Sequence, residues 1–217
     1  MPGFKLRWLL VAIVCSLMFS VPILPLVTMD TVSANSSGDL AFTVGIIGIL
    51  AGLFVAFGFL IACIGLAFEK LRPFSLIYIA SAVSLFIGML LGGSLSDRIR
   101  THALAQLAER SKPLVTAIKN YDRKYGHPPG SLDALIPEFM SQIPTTGMGI
   151  SPNYQYSSFT NGYCYGKNTW TLEVYSPGDV LSFDTFIYLP LEDYSVLAPD
   201  HKWDVQTIEN WAYWHRG

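Results

Sequence analysis

Six carboxylates, Asp179, Asp184, Glu192, Asp193, Asp200 and Asp204, gather near the end of this chain. A calcium ion takes about six to eight oxygen ligands, so this group has the chemistry to hold one. Asp179, Asp184, Asp200 and Asp204 are the candidate ligands. Their spacing fits no EF-hand, and carboxylates spread over a soluble surface give the same pattern with no ion bound. His102, His127, His201 and His215 are far apart in sequence and pair with no nucleophile. Cys15 and Cys63 lie inside apolar runs as small hydrophobes, and Cys164 has no second cysteine in its own region to pair with. With no CxxC, no HExxH and no Gly-rich phosphate loop, the chain offers no zinc, iron–sulfur or nucleotide chemistry. No catalytic residue and no cofactor is expected. Tyr163, Tyr165, Trp170, Trp203, Trp211 and Trp214 would either line a sugar- or peptide-binding face or form a core.

The elements that must carry these groups begin with three apolar runs, Trp8–Thr28, Leu40–Phe68 and Pro73–Ser96, none of which holds a charged residue or a histidine. A helix of about 20 residues crosses a bilayer, so the expectation is a three-span anchor over residues 1–96, with spans at about 8–28, 41–68 and 73–96. Residues 97–217 then form a second, extracytoplasmic domain. Overall 51% of residues are hydrophobic and 14% charged, against about 25% charged in a globular average. Transport, proton relay and voltage sensing need ionisable groups at membrane depth, and the runs have none. Charge is polarised along the rest. Between Arg98 and Lys124 seven basic residues face Glu109 and Asp122, whereas from Tyr125 onward three basic residues face ten acidic ones. The basic stretch suits lipid head groups or a solvated helix face, and the acidic remainder excludes nucleic acid as a partner.

Basic residues in short loops set orientation. Lys5 and Arg7 precede the first run, Lys70 and Arg72 join the second to the third, and the loop 29–39 carries Asp30 and Asp39 with no basic residue. The expectation is a multi-pass protein of a bacterial cytoplasmic membrane with its C-terminal domain outside. Arg98 and Arg100 at the outer end of the third run oppose this mildly. The first run also reads as a signal peptide ending at Val32-Ser33-Ala34, which would leave two spans. Pro22 and Pro25 would kink or shorten it. Gly48, Gly52 and Ala56 in the second run, and Ala80, Ser84, Gly88, Gly92 and Ser96 in the third, recur every four residues and so share one helix face in each run. Small residues there let backbones approach closely. The short connection 69–72 predicts that the two stripes face each other, with an oligomer or partner interface as the alternative.

Beyond Ser96, apolar residues at Ile99, Leu104, Leu107, Leu114, Ile118, Tyr121 and Tyr125 continue a helical stripe, bent or broken at Pro113 and closed by Gly126 and Pro128-Pro129. Ser131 would cap a short helix through Leu132, Leu135 and Ile136, stopped near Pro137. After Pro144 the period falls to two, through Tyr154, Tyr156, Tyr163, Tyr165, Trp170, Leu172, Val174, Phe186 and Tyr188, with Asn161-Gly162, Lys167-Asn168 and Pro177-Gly178 as turns. The expected fold is an α-helical anchor plus a small α+β domain, a long helix packed on an antiparallel β-meander.

The stretch from Ala117 to Pro144, with Tyr121, Tyr125-Gly126, Pro129, Leu132 and Leu135 in order, resembles the helix–loop segment of type IV pilin-like and type II secretion pseudopilin proteins. The resemblance implies a pilin-like domain over about residues 74–217, a bacterial origin and, as in some major pseudopilins, calcium in a C-terminal loop. A prepilin leader would need Glu where Trp8 stands after Gly3-Phe4, so processing and polymerisation as a pilin are not expected. Taken together, the chain reads as a non-enzymatic interaction or assembly protein of the cell envelope. Its partners would be the bilayer and another membrane or envelope protein, or itself. The alternative is an extracytoplasmic ligand-binding or sensing domain that uses an aromatic face.

Overall fold

The computed structural model describes residues 2–35, 39–159, 165–176, 184–197 and 205–215. Three helices come first, α1 (Pro2–Val32), α2 (Asp39–Gly65) and α3 (Arg72–Tyr125), and all three are long and apolar enough to cross a membrane. Asp39 sits in the first turn of α2, where a carboxylate complements the helix dipole. α1 runs on through Pro22 and Pro25, and α3 through Pro113, so none of the three prolines breaks its helix. Inside the runs hydroxyls bond back to their own helix: Ser20 Oγ to the Ser16 carbonyl at 2.8 Å, Thr28 Oγ1 to Leu24 at 3.0 Å, Ser84 Oγ to Ala80 at 2.8 Å. An apolar surrounding offers such groups no water, and the i−4 carbonyl is the nearest acceptor.

The chain divides into two compact units, Met1–Asp30 with Asp39–Arg100, and Thr31–Gly38 with Thr101–Gly217. The division falls within α3, and the segment after Asp30 groups with the second unit. There Val32 packs against the main core, and the Ser33 carbonyl accepts the Gly149 N–H at 2.8 Å.

The second unit holds a five-stranded antiparallel sheet in the order β1-β2-β3-β5-β4, with β1 Gln155–Ser158, β2 Trp170–Tyr175, β3 Thr185–Tyr188, β4 Val205–Ile208 and β5 Trp211–Trp214. β1 to β3 form the expected meander. The last hairpin departs from it, because β5 takes the place beside β3 and leaves β4 at the edge. Tyr165 is not in a strand but in a turn at φ 46°, and Asn161-Gly162, Tyr163 and Pro177-Gly178 lie outside the described residues.

Alternation sorts the sheet into two faces. Leu172, Val174, Phe186, Tyr188, Trp211 and Tyr213 join Leu104, Leu107, Leu114 and Ile118 of α3 in one core. Ile187 and Ala212 point the other way, into a smaller cluster with Leu189 and Leu197. With both faces covered, β3 is buried at every position. Trp170 (1% exposed) and Trp211 (0%) are core side chains, stacked at 5.6 Å on Tyr188 and 5.0 Å on Phe186 respectively. Trp214 and Tyr165 meet edge to face at 5.9 Å beside the smaller cluster.

Candidate functional site

In the helical unit, packing is set by where a side chain cannot fit. A Cβ at Gly88 would overlap Ser20 Oγ, and one at Gly92 would stand 2.7 Å from the Val21 carbonyl oxygen. The small stripe of α3 therefore faces α1. This corrects the expectation that it faces the stripe of α2. The reason lies in α1 itself. Pro25 has no N–H, which strips the Val21 carbonyl of its usual partner four residues on. Gly92 brings the α3 backbone against that carbonyl, close enough for the weak Cα–H···O contacts seen between tightly packed helices. Ser84, Gly88, Gly92 and Ser96 are all buried, and Ser96 Oγ is left without a partner.

α2 meets α3 through a different set. Gly58 makes room for the Tyr78 ring, Gly65 makes room for Ser75, and Tyr78 Oη donates to the Val55 carbonyl at 3.0 Å. Gly48 and Gly52 have nothing within 4 Å of an added Cβ, and Ala56 is exposed. The two stripes picked out by spacing thus have opposite fates, one closed and one open. The sequence signal missed was Pro25 with Val21, four residues apart and opposite a glycine stripe.

In the sheet unit, the one carboxylate of the calcium set within the described residues is Asp184; Asp179, Asp200 and Asp204 lie outside them. Asp184 is 1% exposed. Its Oδ2 accepts Tyr213 Oη at 2.6 Å and lies 3.1 Å from His215 Nδ1, while Oδ1 has no partner. Glu192 accepts Tyr188 Oη at 3.3 Å, and Asp193 caps the 3₁₀ turn Tyr194–Val196 by accepting Ser195 N at 3.2 Å. These carboxylates are thus engaged separately. Among the described residues, no three His, Cys, Asp or Glu side chains gather as metal ligands.

Where α3 ends, Tyr121, Tyr125, His127 and Phe139 form a ring cluster, with Tyr121–Tyr125 centroids 4.6 Å apart and Tyr121–Phe139 5.4 Å. Lys124 pairs with Glu138 beside it, and Tyr125 Oη donates to the same carboxylate at 2.9 Å. Hydrogen bonds from Lys124 and then Tyr125 hold the Glu138 pKa below its usual range. Tyr125 is 45% exposed and Ile136 40%. Burial acts on other phenols. It pushes Tyr154 up to about 12, with Arg110 opposing, and it raises Tyr156, Tyr188 and Tyr194 as well.

Compared with protein-family models, with curated proteins and with solved structures, the chain has no match.

Proposed function

We propose that this protein is a non-enzymatic interaction or assembly protein of a bacterial cytoplasmic membrane, anchored by three spans and carrying a pilin-like domain outside. The observation that carries the reading is the open space over Gly48 and Gly52 on α2, whereas the matching stripe of α3 is filled by α1. In a bilayer, small residues are worth most where another helix comes close, and α2 keeps its set free for a helix from another protein or a second copy. Lys5, Arg7, Lys70 and Arg72 support a cytoplasmic N-terminus and α2–α3 connection. Val32 packed against the core and the Ser33–Gly149 bond favour keeping α1 over cleavage after Ala34, since cleavage would remove both.

Crosslinking in cells, followed by purification in mild detergent and mass spectrometry, tests this. The wild type brings down a discrete homo-oligomer or a reproducible envelope protein, and Gly52→Leu loses it. A monomer with no crosslinked species sinks the reading. A second reading, a ligand-binding domain with an aromatic face, rests on the partly exposed rings of Tyr121, Tyr125, His127 and Phe139. The alternative face through Trp170 and Trp211 is closed to a ligand, because both are core.

A further inference from the structure

A cleft of about 390 Å³ opens in the helical unit where the start of α1 meets the α2–α3 connection and the first turns of α3. Its floor is apolar, formed by Leu6 and Leu9 of α1 and Leu76 and Ile77 of α3. Among the described residues, Glu69 and Arg72 are the charged groups that line it, and both are exposed. Neither is in an ion pair among the described residues, although only three positions separate them. Among the described residues, an apolar cleft lined by a cation and an anion, neither in an ion pair, is shaped for an amphiphile whose head carries both signs. Its volume falls within the usual range for small-molecule sites, and a basic side chain in a pocket between spans is a known means of holding a lipid phosphate.

We infer that this cleft binds an aminophospholipid, such as phosphatidylethanolamine, with an acyl chain on the leucine floor. Arg72 donates to the phosphate in a forked pair of hydrogen bonds, a geometry that suits its guanidinium. Glu69 accepts from the primary ammonium. Glu69 selects the head group: a choline ammonium has no N–H to donate, and a glycerol head has no charge for it. The inference requires that the helices lie in a bilayer and stands apart from the partner proposed for α2.

The test is native mass spectrometry of the full chain in detergent, titrated with phosphatidylethanolamine, phosphatidylcholine and phosphatidylglycerol of identical acyl chains. One charge-assisted hydrogen bond corresponds to about a tenfold preference, so the ethanolamine lipid is retained about tenfold over the choline lipid. Glu69→Gln abolishes that preference while leaving binding of the choline lipid unchanged. Arg72→Gln weakens all three lipids. Leu76→Trp, which fills the cleft and leaves both charges in place, also lowers retention of the ethanolamine lipid. Equal retention of the three by the wild type, or a preference that survives Glu69→Gln, would mean ordinary lipid around the helices and would overturn the inference. Loss of the α2 partner in the crosslinking experiment leaves these results untouched, so the two proposals fail separately.

Discussion

Ser111 is a polar residue in the middle of the apolar stripe of α3, fully buried, and Trp211 accounts for it. Its hydroxyl donates to the Ala108 carbonyl at 2.7 Å and accepts the Trp211 Nε1–H at 3.1 Å. Ser111→Ala strands that indole N–H in the core, and a buried unsatisfied donor costs about 1–3 kcal/mol. Denaturant unfolding of the full chain, followed by tryptophan fluorescence, is expected to show a loss of that size. The buried phenols make a second prediction. Tyr154 titrates near 12 in the folded chain, against about 10 when unfolded, because burial disfavours the phenolate. Above pH 10 the unfolded chain therefore loses protons first. The stabilisation, complete below about pH 10, is lost as the pH rises toward 12. Tyr156, Tyr188 and Tyr194 act in the same direction. Absorbance at the phenolate band should show these tyrosines ionising late and together with unfolding.

At the level of elements, period and length were legible and partners were not. The three apolar runs became α1 to α3, and the period-two stretches around Trp170 and Phe186 became β2 and β3. The expected meander stopped at Tyr188, yet residues 205–214 form a further hairpin. Which neighbour β5 would take depends on pairing across the sheet, which local pattern does not encode. The glycine stripes show the same limit. Spacing put Gly88 and Gly92 on one face, but only the carbonyl freed by Pro25 explains why α1 fills it. A leucine at Gly92 must displace backbone, and overpacking of this kind costs about 1–3 kcal/mol. A Cβ at Gly52 has nothing within 4 Å, so Gly52→Leu should leave the helices intact. Unfolding in mixed detergent, followed by circular dichroism, separates the two variants; equal stability would refute the proposed α1–α3 seam.

For the whole molecule, the sequence pattern put a boundary after residue 96, whereas the compact units are Met1–Asp30 with Asp39–Arg100 and Thr31–Gly38 with Thr101–Gly217. That pattern did not show that the segment after Asp30 belongs with the sheet, because Ser33 finds its partner at Gly149, more than 100 residues away, and Val32 packs against the core of the sheet unit. The candidate metal set was legible only as composition. The one member within the described residues, Asp184, is held by Tyr213 and His215, about 30 residues further along the chain and brought to it by the β3–β5 pairing. On the proposed topology, three spans would put Lys70 and the sheet on opposite sides of the membrane. The most direct measurement labels single cysteines in intact cells with a membrane-impermeant maleimide, on a chain whose own three cysteines are replaced. Ser141→Cys should label in intact cells, and Lys70→Cys only after lysis. Labelling of Lys70→Cys in intact cells, or protection of Ser141→Cys until lysis, would contradict the three-span reading with its domain outside.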